Sequence, residues 1–94
     1  MVFVINKLKY NTDNMKLISE KCEYSWSDRI IGSAIRYRGR NVKLWKSSKD
    51  NWLLTFEKDL FTCGEALSSE EAQNLLLKYD VDAYEKIFGE LEEA

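Results

Sequence analysis

The chain contains no histidine, no proline and only two cysteines among its 94 residues. Histidine is the side chain that most readily exchanges a proton near neutral pH, so its absence excludes hydrolases that depend on a histidine base. Cys22 and Cys63 lie far apart and outside any metal-ligand spacing, which excludes zinc sites built on histidine or on paired cysteines. Two reduced thiols are the expected state of these cysteines, and a disulfide between them is the alternative.

Long apolar runs are absent as well. The longest is the five-residue stretch 1–5, which is too short to cross a bilayer or to form the core of a signal peptide. A chain of this length has room for one domain, 1–94, with one small core. We therefore expect a single-domain cytoplasmic protein with no contact with a membrane.

The net charge of −2 conceals a strong polarity along the chain. Residues 1–56 carry 11 lysines and arginines against 5 acidic residues, whereas residues 57–94 carry 3 against 11. An acidic tail closes the chain at about residues 89–94. A split of this kind is typical of a protein with two faces for two partners. The alternative is that the two halves neutralise each other within the fold.

Local patterns in the first half of the chain predict strands and one helix. Residues 2–10 alternate loosely and predict a strand. The spacing of Met15, Ile18 and Cys22 predicts a helix from about residue 13 to residue 20 or 21. Residues 23–33 have no clear period, which indicates a loop or a frayed strand in which Trp26 anchors the packing.

The middle of the chain predicts a hairpin. Residues 34–38 and 42–44 both alternate, but with opposite parity, so we expect a bulge or tight turn at residues 38–41. The polar residues 47–51 connect this region to a returning strand at 52–56. Residues 58–66 are predicted to be irregular, with Leu60 and Phe61 tucked in.

The last third predicts two short helices. Ser68 and Glu71 have the spacing of a capping box, and Asp80 separates the first helix from the second. The second helix has an apolar face formed by Tyr84, Ile87, Phe88 and Leu91. The predicted fold is α+β: a small antiparallel sheet of about three strands, with an N-terminal helix and two short C-terminal helices packed on it.

Two groups of charged residues are the candidate binding sites. If the alternate residues of the middle strands face the core, five others form an outward row, which we call the basic ribbon. Arginine suits phosphate and a tryptophan face suits an unstacked base, so the ribbon is a candidate for a protein or a nucleic acid. The sequence pI of about 5.2 argues against a dedicated nucleic-acid binder. The basic ribbon consists of Arg36, Arg38, Arg40, Lys43 and Trp45.

The second group, the acidic face, lies at the C-terminal end. Its carboxylates can occupy a groove that normally holds nucleic-acid phosphates. It consists of Glu85, Glu90, Glu92 and Glu93.

Nothing in the chain predicts a catalytic, metal or cofactor site. The serines have no histidine base, and Cys22 lies on a predicted apolar face, where cysteine is usually inert. Asp80 and Asp82 lack the remaining ligands of a calcium loop and are better explained as helix punctuation. We predict no enzyme activity, no cofactor and no bound metal.

Three stretches together resemble a family of small uncharacterised proteins found on phages and other mobile elements of Gram-positive bacteria. They comprise Lys9-Tyr10-Asn11-Thr12-Asp13, then Leu44-Trp45-Lys46-Ser47 with Asn51-Trp52-Leu53-Leu54, and finally Leu67-Ser68-Ser69-Glu70-Glu71-Ala72 with the segment 82–90. The resemblance implies an aromatic hairpin, a C-terminal helix pair and a bacterial host, and it offers no catalytic residues. The chain departs from the family at Asp50, where a turn glycine is usual, and at residues 57–61, which replace a glycine-rich loop.

The resemblance and the charge pattern together favour a non-enzymatic protein that binds a host protein. An inhibitor of a defence nuclease, of the anti-CRISPR type with a CRISPR effector as its target, is the specific form of this hypothesis. The alternative is a nucleic-acid-binding accessory protein that uses the cations Arg36, Arg38, Arg40 and Lys43.

Overall fold

The computed structural model describes the backbone of residues 1–94 and every side chain except those of residues 28–30. Over this backbone, eight strands form three antiparallel sheets and two helices follow them at the C-terminus. The strands are β1 (Val2–Ile5), β2 (Leu8–Asn11), β3 (Lys16–Ser19), β4 (Ser25–Ile30), β5 (Ser33–Arg38), β6 (Arg40–Lys46), β7 (Trp52–Lys58) and β8 (Phe61–Leu67). A 3₁₀ turn spans Thr12–Asn14, and the helices are α1 (Ser69–Tyr79) and α2 (Val81–Phe88).

The central sheet has four strands in the order β3-β6-β7-β8, and β7 is its most buried member. Every residue from Trp52 to Phe56 is buried. Because side chains alternate along a strand, Trp52, Leu54 and Phe56 face one side of the sheet, while Leu53 and Thr55 face the other. Both faces of this sheet must therefore be covered.

The two helices cover the first face. Leu44 and Leu54 of the sheet belong to one core with Ala72 and Leu76 of α1. The ring of Trp52 stacks on Phe88 of α2 with centroids 5.9 Å apart. Burying aliphatic and aromatic side chains of this size stabilises the fold by roughly 1.5–3 kcal/mol each, so this face supplies the main core.

The N-terminal hairpin β1–β2 lies against the second face. A Cβ atom at Gly64 of β8 would lie 2.7 Å from the ring of Phe3, so the close approach requires glycine at this position. Nearby, the Trp45 indole Nε1 donates a hydrogen bond to Thr55 Oγ1 at 2.9 Å. The polar Thr55, which is buried, is thereby satisfied.

The hairpin β4–β5 extends from the end of the central sheet. Trp26 stacks on Tyr37 with centroids 5.8 Å apart and lies 5.4 Å from Phe56 of β7, which confirms Trp26 as a packing anchor. The amide of Gly39 donates to the carbonyl of Tyr24 at 2.9 Å and holds the base of the hairpin. The radius of gyration is 14.6 Å, against about 12 Å for a typical compact chain of this length, so the molecule is elongated.

The predicted N-terminal helix is wrong. Residues 12–14 form only a 3₁₀ turn, and the chain then enters β3, which pairs Lys16 with Lys46 and Leu17 with Trp45. The predicted helix would have been only about two turns long, which is too short to be stable without tertiary packing. Hydrogen bonding of this segment to the central strand β6 was therefore more favourable. The predicted strand 2–10 is a hairpin, because Asn6 and Lys7 adopt φ values of 51° and 65° and reverse the chain.

The small three-strand sheet is also wrong, because two further segments are strands. Residues 23–33 contain β4 and the turn to β5, and residues 58–66 contain most of β8. The turn before β8 uses Asp59 at φ 54° and leaves Leu60 98% exposed and Phe61 73% exposed, so neither side chain is tucked in. Both segments lack strong alternation, and their strands form through pairing with a neighbour.

Other predictions are confirmed. The register of β6 against β7 shifts between Arg40 and Lys43, and Asn41 adopts φ 48°, which is the expected bulge. The hairpin connection at 47–51 joins β6 to β7, with Asp50 at φ 61° in place of a glycine. The capping box is complete, since Ser68 and Glu71 each accept the other's backbone amide.

Asp80 joins the helix pair to the sheet. Its backbone closes α1, and its carboxylate accepts the amide of Ala83 at 3.2 Å at the start of α2. The other carboxylate oxygen accepts a hydrogen bond of 2.6 Å from the buried Ser19 hydroxyl of β3. The bond from Ser19, together with the Ala83 amide and the charges of Lys21 and Lys86, lowers the pKa of Asp80 despite partial desolvation.

Replacing Asp80 with alanine is expected to lower the free energy of unfolding by about 1–2 kcal/mol, since the cap is lost and Ser19 loses its partner. Because the pKa of Asp80 is lowered in the folded state, its contribution is present above the ordinary carboxyl pKa and is lost as the pH falls through the lowered value. Urea denaturation at neutral and acidic pH should show the difference between wild type and D80A shrinking in acid. The exposed Asp82 provides the control: an effect of D82A as large as that of D80A would contradict this assignment.

Candidate binding surface

Arg36 and Arg38 line a groove of about 420 Å³ at the base of the β4–β5 hairpin. We call it the tyrosine groove because Tyr24, Tyr37 and Tyr79 also line it. Arg36 Nη2 donates to Ser25 Oγ at 3.2 Å, and the Arg38 guanidinium forms an ion pair with Glu23. The groove therefore combines two exposed cations with aromatic side chains. The remaining lining residues are Glu23 and Ser25.

Lys43 and Trp45 line a second groove, also about 420 Å³, which includes Met1 and Thr12 from the N-terminal hairpin region. Lys43 Nζ lies 3.8 Å from Glu20 Oε1. Trp45 is only half-exposed, and its indole nitrogen is engaged by Thr55. The ring of Trp45 is thus part of the packing on the second face of the sheet.

The structure therefore divides the basic ribbon between two grooves. Arg40 lies in neither; its Nη2 donates to the Asp59 carbonyl at 2.5 Å and ties β6 to the turn before β8. The division has a local cause. The chain leaves the β4–β5 hairpin at Gly39 and then passes the bulge between Arg40 and Lys43, so the residues on either side do not share one strand face.

The acidic face is divided between a helix and the tail. Glu85 belongs to α2, and its Oε2 accepts the amide of Leu91 at 2.9 Å. The helix ends at Phe88, and Gly89 adopts φ 104° immediately after it. Leu91, which we expected on the helical face, lies beyond the helix and is 45% exposed. The tail carboxylates at positions 90, 92 and 93 are all exposed.

The opposite charges of the two halves do not pair with each other among the described side chains. The four ion pairs within the described part of the chain all lie in residues 1–50. They join the N-terminal amine to Asp13, Arg38 to Glu23, Lys43 to Glu20 and Lys46 to Asp50. Between the two halves, the charge of Lys21 still acts on Asp80, although the two groups form no close ion pair.

The shifted pKa values in the described chain have structural causes. Burial raises the pKa of the Cys22 thiol, and the bonds with Ser68 in the capping box lower the pKa of Glu71. A hydrogen bond to Glu65, with burial and the Glu65 charge as lesser causes, raises the pKa of Tyr24 to about 12. Both cysteines are free thiols, and no cluster of acidic residues and cysteines among the described residues has the arrangement of a metal site.

Sequence reasoning missed the residues that complete the tyrosine groove. Tyr24 lies in a segment without periodicity, and Tyr79 belongs to a helical face that indicates core packing. Only the tertiary fold places both beside Arg36 and Arg38. The partners of the cations, Glu23 and Glu20, were missed because each pairs with a residue more than ten positions away.

No helix in the described chain is both long and apolar enough to span a membrane. Comparison with family models, with curated proteins and with solved structures finds no match for the chain. The resemblance to mobile-element proteins stays a prediction.

Tyr24 provides a pH test of this surface. Because its folded pKa is raised from 10 to about 12, the stability that it contributes is present below pH 10 and is lost as the pH rises toward 12. The difference in unfolding free energy between wild type and Y24F, measured in urea, should therefore shrink over this range. Ultraviolet titration should show that the tyrosine missing from Y24F is one that ionises late. If the tyrosine that Y24F lacks, relative to wild type, instead ionises near the ordinary pH of 10, the Tyr24–Glu65 bond would be contradicted.

Proposed function

We propose that this chain is a non-enzymatic protein that binds a host protein through its polarised surface, and that the partner is a nuclease of a host defence system such as a CRISPR effector. One observation carries the proposal: the tail carboxylates Glu90, Glu92 and Glu93 are exposed and form no ion pair with any side chain that the structure describes. The choice of a nuclease rests on the resemblance to mobile-element proteins.

The tail has the chemistry that a nucleic-acid groove recognises. It carries three carboxylates within four residues, and it leaves α2 at Gly89 without helical constraint. Closely spaced anions of this kind match the cations with which a nuclease holds phosphates. Complementary charge accelerates association by about 10–10³-fold, and the acceleration falls as salt is added.

A second candidate function is nucleic-acid binding by the tyrosine groove. The favourable observation is that Arg36 and Arg38 lie beside three tyrosines, since arginine contacts phosphate and an aromatic ring stacks on a base. Two observations weigh against it. Arg38 is paired with Glu23, and the division of the basic ribbon interrupts the path that a bound strand would follow.

The tail is tested by neutralising it. The triple variant E90Q/E92Q/E93Q should bind a purified CRISPR effector nuclease at least about tenfold more weakly than wild type, and its association rate should lose most of its salt dependence. A matched control, D59N/E70Q/D82N, removes the same charge outside the tail and should bind like wild type. Absence of binding and inhibition across a panel of CRISPR effectors would refute the nuclease proposal. Equal loss in both variants would show that net charge, rather than the tail, controls binding.

The nucleic-acid alternative is tested by a gel shift with labelled oligonucleotides. If the tyrosine groove binds them, charge reversal in R36E/R38E should abolish the shift, whereas K43E in the other groove should leave it unchanged. Affinity for duplex should fall with a log–log salt slope of about −0.9 per phosphate contacted. No shift at low salt would eliminate this function.

A further inference from the structure

Strand β8 is the exposed edge of the central sheet and lacks the features that usually protect such an edge. It pairs with β7 without a bulge along its whole length of seven residues. It contains no lysine, arginine or proline, which are the residues that commonly prevent edge pairing. Its single charged residue, Glu65, accepts the hydroxyl of Tyr24.

The other edge strands of the described backbone are better protected. Strands β1, β2 and β3 have only four residues each, and β3 also contains a register shift between Leu17 and Ser19. Strands β4 and β5 carry arginines. Strand β8 is therefore the edge on which a further strand can add the longest regular ladder.

A knob and a groove lie at the two ends of β8. At its start, Phe61 is 73% exposed, which is costly for an aromatic side chain in water. At its end, Leu67 lines a groove of about 340 Å³ together with Leu54 and Leu75. Leu67 and Phe61 lie on the same face of the sheet because they are six residues apart on one strand.

We propose that β8 pairs antiparallel with β8 of a second copy of this chain, about a two-fold axis at Gly64. This register places Gly64 opposite its own counterpart, and each Phe61 opposite Leu67 of the other copy. Each Phe61 ring then covers the apolar groove beside Leu67 of the other copy. Because the axis is two-fold, both exposed rings and both grooves are covered at once. The central sheet becomes a continuous eight-stranded sheet with the helices of both copies on the same side.

The charges along β8 permit this arrangement. The register places Glu65 opposite the neutral Cys63 of the other copy, so no like charges face each other directly. The two Glu65 carboxylates lie on a diagonal, and each remains bonded to its own Tyr24. The dimer goes beyond the proposed function, because it does not involve the tail. Tyr24 lines both the tyrosine groove and the groove beside Leu67, and it keeps its bond to Glu65 in the dimer.

Sedimentation equilibrium over a wide concentration range tests the dimer. The variant F61K places a lysine on the edge and removes both aromatic contacts, so the dimer dissociation constant should rise at least about tenfold. The matched control L60K changes the neighbouring side chain, which is 98% exposed but lies in the turn outside the paired strand, and should dimerise like wild type. Far-ultraviolet circular dichroism of both variants verifies the fold.

Cys63 reports the register independently. It is half-buried near the centre of β8, whereas Cys22 is buried elsewhere. A short bismaleimide should link two wild-type chains through Cys63, and the product should disappear in C63S and decrease strongly in F61K. A chain that stays monomeric at high concentration would overturn the proposal. So would a dimer that F61K and L60K weaken equally, or a monomer that instead adds a strand from a different protein.

Discussion

The structure depends on the burial of β7 on both sides. A strand whose five consecutive residues from Trp52 to Phe56 are all removed from water requires apolar cover over both faces. A chain of 94 residues can supply that cover only by using both of its ends: the helices α1 and α2 on one face and the N-terminal hairpin on the other. The remaining segments, β4 and β5, are attached at the end of the sheet through Trp26 and Phe56.

This demand for cover explains where the charges lie. The charged residues lie on the hairpin strands, at the rims of the grooves and in the tail, because the core between the sheet and its cover is filled by apolar side chains. Arg38 and Lys43 pair with Glu23 and Glu20, and no cation of the basic half whose side chain is described pairs with the tail carboxylates. Binding through a polarised surface, as proposed, is thus compatible with a core that uses almost no charge.

Polar contacts determine how the layers join. Asp80 links β3 to both helices through Ser19 and Ala83, and Tyr24 links the base of the β4–β5 hairpin to β8 through Glu65. The Ser19–Asp80 and Tyr24–Glu65 bonds join residues distant in sequence, so each constrains the relative position of two layers rather than one element. The backbone edge of β8, at the end of the central sheet, has no strand paired to it, and this is the edge to which the proposed dimer adds a second chain.

The sequence by itself determined the elements whose information is local. The Ser68–Glu71 capping box, the amphipathic faces of the helices, the turn at 47–51 and the bulge before Lys43 all follow from residues a few positions apart. Strands β3, β4 and β8 were decided by tertiary structure, because their short or weakly alternating segments become strands only when a neighbour supplies the hydrogen bonds. The division of the basic ribbon and the tyrosine groove were decided in the same way, since Tyr24, Arg36 and Tyr79 approach each other only after β4, β5 and α1 are packed.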